Sequence, residues 1–146
     1  IIPRVGQQKL AASCDVFVYL DDVQYKKREF QNRNRIRVKA GWEWLTVPVV
    51  TIDGFCARER IDPDFMKIDV EGWELAVLRG ARETIRRRGS RLTLFVEMHP
   101  SAWPLLGTSK EELLDELRAQ RLEPVALGGT DDLWAVEGVA VQLRRV

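Results

Sequence analysis

Phe65-Met66-Lys67-Ile68-Asp69-Val70-Glu71-Gly72 opens with a short apolar alternation and closes on two acids and a glycine. Residues 65–70 read as a strand, and Gly72 separates it from a helix over about 73–88, where Leu78, Ala81 and Ile85 recur at helical spacing. Glu71 and Glu74 lie at the positive end of that helix, Arg86-Arg87-Arg88 at its negative end, and Gly89 supplies a stop. Downstream, Leu92 to Met98 is a nearly continuous apolar run of the kind covered on both faces. Ser109-Lys110-Glu111-Glu112 is a capping box that opens a helix to about 120, with Leu113, Leu114 and Leu117 inward. Residues 124–127, 133–137 and 139–143 read as further short strands. Strand, helix, strand, helix, strand predicts an α/β domain with a mostly parallel sheet and an antiparallel C-terminal edge.

Upstream the pattern differs, which divides the chain into residues 1–50 and 51–146. Val16 to Leu20 is a strand-like apolar run ended by Asp21-Asp22. Arg33, Arg35, Arg37 and Lys39 alternate with Asn34, Ile36, Val38 and Ala40, so a strand there would put four cations on one face. Gly41 permits a turn into a second strand, Trp42 to Val50. The N-terminal segment is therefore expected to be β-rich.

Composition narrows the function classes. A chain of 146 residues fits one domain or two small pieces, at a prior of ~150 residues per domain. Hydrophobic content of 45% and charged content of 31% exclude whole-chain disorder. The net charge of +1 gives no global attraction to nucleic acid or anionic lipid. No apolar stretch approaches the ~20 residues of a membrane helix, and the first residues lack a signal-peptide layout. Cys14 and Cys56 are isolated, outside Cys-x-x-Cys spacing. These features predict a cytoplasmic protein with thiols rather than disulfides.

The candidate chemistry sits at strand ends. Asp69 and Glu71 are two apart after one strand, and Glu97 and His99, the chain's single histidine, are two apart after the next. Ligands of parallel sheets bind outside the carboxyl ends of the strands. If the two strands are neighbours, Asp69, Glu97 and His99 meet in one crevice, where they can bind sugar hydroxyls, take a proton, or hold a hard cation such as Mg2+ through Asp69 and Glu97. The structural alternative is that Glu71 favours the helix dipole and Asp69 caps the helix. The stripe Arg33, Arg35, Arg37 and Lys39, among seven cations between residues 26 and 39 against the single acid Glu29, can hold a phosphorylated small substrate, bind single-stranded nucleic acid, or simply be a solvated face.

Residues 51–146 resemble the C-terminal half of FkbM-type S-adenosylmethionine-dependent methyltransferases. The resemblance rests on Thr51-Ile52-Asp53-Gly54-Phe55, Lys67-Ile68-Asp69-Val70-Glu71-Gly72-Trp73-Glu74, Leu78-Arg79-Gly80-Ala81 and Glu97-Met98-His99-Pro100. It implies a Rossmann-like sheet, O-methylation of a sugar or other small hydroxyl compound, and S-adenosylmethionine held near Asp69, Glu71 and Lys67. It also implies that Asp69 lies beside the methyl-transfer site, with Glu97 and His99 completing an acid–base or cation cluster. That family's Gly-rich cofactor turn has no counterpart, since no Gly-x-Gly occurs in the chain. Residues 13–49 resemble WbqC-type proteins, on Asp15-Val16-Phe17-Val18-Tyr19-Leu20-Asp21-Asp22, Gln31-Asn32-Arg33-Asn34-Arg35-Ile36 and Trp44-Leu45-Thr46-Val47-Pro48-Val49. That likeness implies a setting in surface-polysaccharide assembly.

Three expectations follow. The first is an O-methyltransferase, or an incomplete one, tailoring a glycan or small molecule. The second is a module that binds phosphorylated glycan precursors or nucleic acid through the basic strand face of Arg33, Arg35, Arg37 and Lys39. The third is a chain with no independent activity, whose exposed sheet edge invites self-association.

Overall fold

The protein is described by a computed structural model covering residues 33–38, 41–46, 50–127, 134 and 138–146. The expected strand at 16–20, the continuation over 47–49, and Lys39 lie outside the described residues, and of the expected strand at 133–137 only Trp134 is described, in a turn. Arg33–Val38 (β1) and Gly41–Thr46 (β2) form an antiparallel hairpin in which Arg35 is opposite Trp44 and Val38 opposite Gly41. Gly41 has φ +127°, a conformation that side chains rarely adopt, and begins the return strand.

The second sheet contains Phe65–Ile68 (β3), Thr93–Met98 (β4), Leu122–Ala126 (β5) and Val139–Arg145 (β6), in the order β3-β4-β6-β5. β3 pairs parallel to β4, and β6 pairs antiparallel to both β4 and β5. Three strands therefore run one way, but the reversed β6 is inserted between β4 and β5. Only one of the three pairings is parallel, which corrects the expectation of a mostly parallel sheet with its antiparallel strand at the rim.

The helices are Ile52–Glu59 (α1), Glu74–Arg79 (α2), Arg82–Arg88 (α3) and Lys110–Ala119 (α4). Met66, Ile68, Leu94, Val96, Met98, Val141 and Leu143 meet Leu75, Leu78, Ile85, Leu113 and Leu117 in one core. In β4 burial alternates strictly: Leu94, Val96 and Met98 are buried, while Thr93, Phe95 and Glu97 are half-buried. The expectation that this strand is covered on both faces is thus corrected. On its more open face Phe95 packs against Phe65, with ring centroids 5.5 Å apart.

The single helix expected over 73–88 is two helices, broken at Gly80-Ala81. The cause is an exchange of hydrogen bonds with α1. The Asp53 backbone N–H donates to the Gly80 carbonyl at 2.9 Å. The Thr84 N–H, which a continuous helix would direct to that carbonyl, donates instead to Asp53 Oδ1 at 2.7 Å, and the Glu83 N–H donates to Asp53 Oδ2 at 3.0 Å. Asp53 thereby caps α3, whose own N-cap residue, Ala81, has no side-chain acceptor. Asp53→Ala is expected to cost about 1 kcal/mol, the usual value of an N-cap carboxylate, and Asp53→Asn less. Urea unfolding of the two variants measures this.

The capping box is present in both directions: the Glu112 N–H donates to Ser109 Oγ at 3.1 Å, and the Ser109 N–H to Glu112 Oε2 at 3.0 Å. On the inner side of α4, the buried carboxylate of Glu116 accepts from Arg82 Nε at 2.7 Å and Gln120 Nε2 at 2.7 Å. Pairing with Arg82 holds this carboxyl below its ordinary pKa and ties α4 to the break between α2 and α3.

Candidate functional site

The register of β3 on β4 sets Ile68 opposite Val96, so the next residues, Asp69 and Glu97, come level at the carboxyl ends of two parallel strands. Because side chains alternate, Lys67, Asp69 and Glu97 share the open face while Met66, Ile68, Val96 and Met98 enter the core. Lys67 Nζ donates to Asp69 Oδ2 at 2.7 Å and to Glu97 Oε2 at 3.3 Å. His99 Nε2 faces the other oxygen of each acid, 4.0 Å from Asp69 Oδ1 and 3.9 Å from Glu97 Oε1. One ligand atom each from Asp69, Glu97 and His99 lies within 4.8 Å of the others.

The opposite edge of the imidazole is held from below. His99 Nδ1 is 2.9 Å from Oε1 of Glu74, the first residue of α2, whose side chain is fully buried. The same carboxylate accepts the Gly72 backbone N–H at 2.9 Å and the indole N–H of buried Trp103 at 2.8 Å. Gly72 allows this approach. Its φ is +103°, and an added Cβ would come within 2.6 Å of Ala102 Cβ.

The electrostatics follow from this packing. Burial disfavours the charged His99 ring, but the hydrogen bond to Glu74 and the negative charges of Glu74, Asp69 and Glu97 outweigh it, and the pKa is raised. Lys67 behaves likewise: partial burial opposes its charge, yet its bonds to Asp69 and Glu97 raise its pKa. For His99 the folded pKa exceeds the unfolded one. Its stabilising contribution is therefore complete below the ordinary histidine value of about 6.5 and is lost as pH rises through the folded value. Urea midpoints are expected to fall across that window in the native sequence and to lose the dependence in His99→Asn. An unchanged slope in the variant would remove His99 from the network.

The structure thus brings together Asp69, Glu97, His99 and Lys67. Glu71, expected beside Asp69, lies in the turn with φ +42°, is exposed and is outside the cluster. Neither acid caps α2: Asp69 pairs with Lys67, and Trp73 is the N-cap residue. Arg33, Arg35 and Arg37 fall on β1. Glu74 is the site residue that the sequence did not reveal. As the first acid of a helix it reads as a dipole partner, and nothing local ties it to His99 or Trp103.

A family model described as the WbqC-like protein family matches residues 1–115. The chain belongs to the WbqC-like family. The match runs past residues 13–49 and takes in the hairpin, α1 and every member of the site, so the site is part of the WbqC-like region. Among curated proteins, the Mycobacterium tuberculosis (strain ATCC 25618 / H37Rv) protein named "Uncharacterized protein Rv1507c" is 50% identical over 48 residues, which cover 33% of this chain and 21% of that protein. This WbqC-like chain therefore spans about a fifth of the length of that relative. No solved structure matches it. Among the described residues, no helix is long and apolar enough to cross a membrane.

Proposed function

We propose that the strand-end cluster binds a small polyhydroxyl compound, of the sugar class, and accepts the proton of one hydroxyl during its modification. The observation that carries this reading is the convergence of Asp69, Glu97 and His99 beside Lys67 at the ends of two adjacent parallel strands. Separations of 3.9 and 4.0 Å between His99 Nε2 and the two carboxylates exceed a hydrogen bond and suit an oxygen lodged between them. A hydroxyl there donates its proton to Nε2. Lys67 has three N–H donors and directs two at the acids, leaving one for the oxygen that becomes negative.

The same donor set suits a divalent cation in ligand type, but Lys67 already supplies a positive charge between the carboxylates, which favours a hydroxyl guest over a metal. O-methylation is the modification that the FkbM resemblance supports. S-adenosylmethionine itself does not fit the residues described. Glu71 is exposed and outside the cluster, and no Gly-x-Gly turn occurs in the chain to cradle the cofactor.

The single histidine provides the test. Titration with methyl glycosides is expected to shift the His99 imidazole resonances, and Asp69→Asn to abolish the response. A panel of such glycosides that leaves His99 unmoved would overturn the reading. Calorimetry with S-adenosylhomocysteine is expected to give no heat. Heat that disappears in Asp69→Ala would show that the donor is gripped here after all.

A further inference from the structure

We propose that Glu74 is a positioning residue that fixes His99 in the Nδ1–H tautomer, so that Nε2 is the nitrogen presented to Asp69 and Glu97. The assignment follows from the inventory of donors around one fully buried carboxylate. The Gly72 backbone N–H and the Trp103 indole N–H can only donate, and they engage Oε1 and Oε2 respectively. An ionised carboxylate has only acceptor capacity, so the third group at 2.9 Å, His99 Nδ1, must be a donor as well. With its proton on Nδ1, the neutral ring has its free lone pair on Nε2. That is the atom 4.0 and 3.9 Å from the two carboxylates on the open face.

Tautomer choice in proteins is set by the partner of the other nitrogen. Here that partner is itself held by the loop carrying Trp103 and by the turn at Gly72. Gly72 and Trp103 lie on two different stretches of chain, so the carboxylate that holds the ring is itself fixed from two sides. Glu74 touches neither the open face nor a guest molecule there. Its effect is exerted through His99.

The meaning for proton transfer rests on the function proposed above, but the tautomer can be measured without it. In a long-range 15N–1H spectrum recorded where the ring is neutral, Nδ1 is expected at a protonated, pyrrole-like shift and Nε2 at an unprotonated, pyridine-like shift. Glu74→Gln, whose amide oxygen can still accept from Nδ1, should keep that pattern. Glu74→Leu should lose the Nδ1–H signal in favour of the Nε2–H form. A neutral native ring carrying its proton on Nε2 would overturn the assignment, as would a folded Glu74→Leu protein with the native pattern. If the leucine variant fails to fold, the native spectrum alone decides. A correct tautomer with no response to methyl glycosides would sink the proposed function and leave the role of Glu74 standing.

Discussion

Gly72→Val is expected to lower stability by about 2–5 kcal/mol, enough to unfold a large share of a marginal domain. Two separable effects add. The backbone at Gly72 sits at φ +103°, where a side chain costs about 1–2 kcal/mol and a β-branched one is a true outlier. An added Cβ would also lie 2.6 Å from Ala102 Cβ and 2.9 Å from Leu106 Cδ1, and forcing atoms into a packed contact costs about 1–3 kcal/mol. Gly107 isolates the first effect. Its φ is +69° and nothing lies within 4 Å of an added Cβ, so Gly107→Ala should cost only about 1 kcal/mol. Urea midpoints give the comparison. A shift for Gly72→Val no larger than that for Gly107→Ala would mean that the 99–106 loop does not press on this turn. The consequence reaches the site, because the Gly72 N–H is one of the three donors that hold Glu74.

What could be seen in the sequence follows from the range of the interactions involved. β3, β4 and α4 are encoded locally, by apolar alternation, a buried run and a capping box, and all three form about where those signals place them. The reversed β6 between β4 and β5 is a choice of partner across the sheet, which no local pattern records. The break at Gly80 depends on Asp53, about thirty residues upstream, trading its amide and carboxylate for the missing rung of the helix. α1 gave little warning because Cys56 is the one residue it buries fully, so its apolar periodicity is weak.

The candidate site shows the same division. Asp69, Glu97 and His99 are legible because polar residues at the ends of apolar strands are placed by period two, and the parallel pairing of β3 and β4 brings them level. Lys67 joins them through the same alternation, as a bridge between the acids rather than a group that grips a cofactor. Glu74 is invisible for the opposite reason. Its partners at 72, 99 and 103 are brought to it by tertiary packing, where the start of α2 meets the loop that follows β4.

Glu74→Ala should be the most damaging single change to the site, at about 3–5 kcal/mol, the range seen when one partner of a buried charged network is removed. The alanine leaves the Gly72 N–H, the Trp103 indole and His99 Nδ1 without an acceptor in a place sealed from solvent. Glu74→Gln tests whether the cost is electrostatic or geometric. A glutamine oxygen turned toward His99 and Gly72 keeps two of the three bonds, but its NH2 then meets the Trp103 N–H, donor against donor. Trp103→Phe removes that donor while keeping an aromatic ring against Trp134, whose ring centroid lies 6.3 Å from that of Trp103. The double variant Glu74→Gln/Trp103→Phe should consequently be more stable than the sum of the single losses predicts, by about 1–3 kcal/mol. Chemical denaturation of all four proteins closes the cycle. Strict additivity would show that Trp103 and Glu74 are neighbours without being partners, and the carboxylate would then hold His99 with one fewer constraint on its own position.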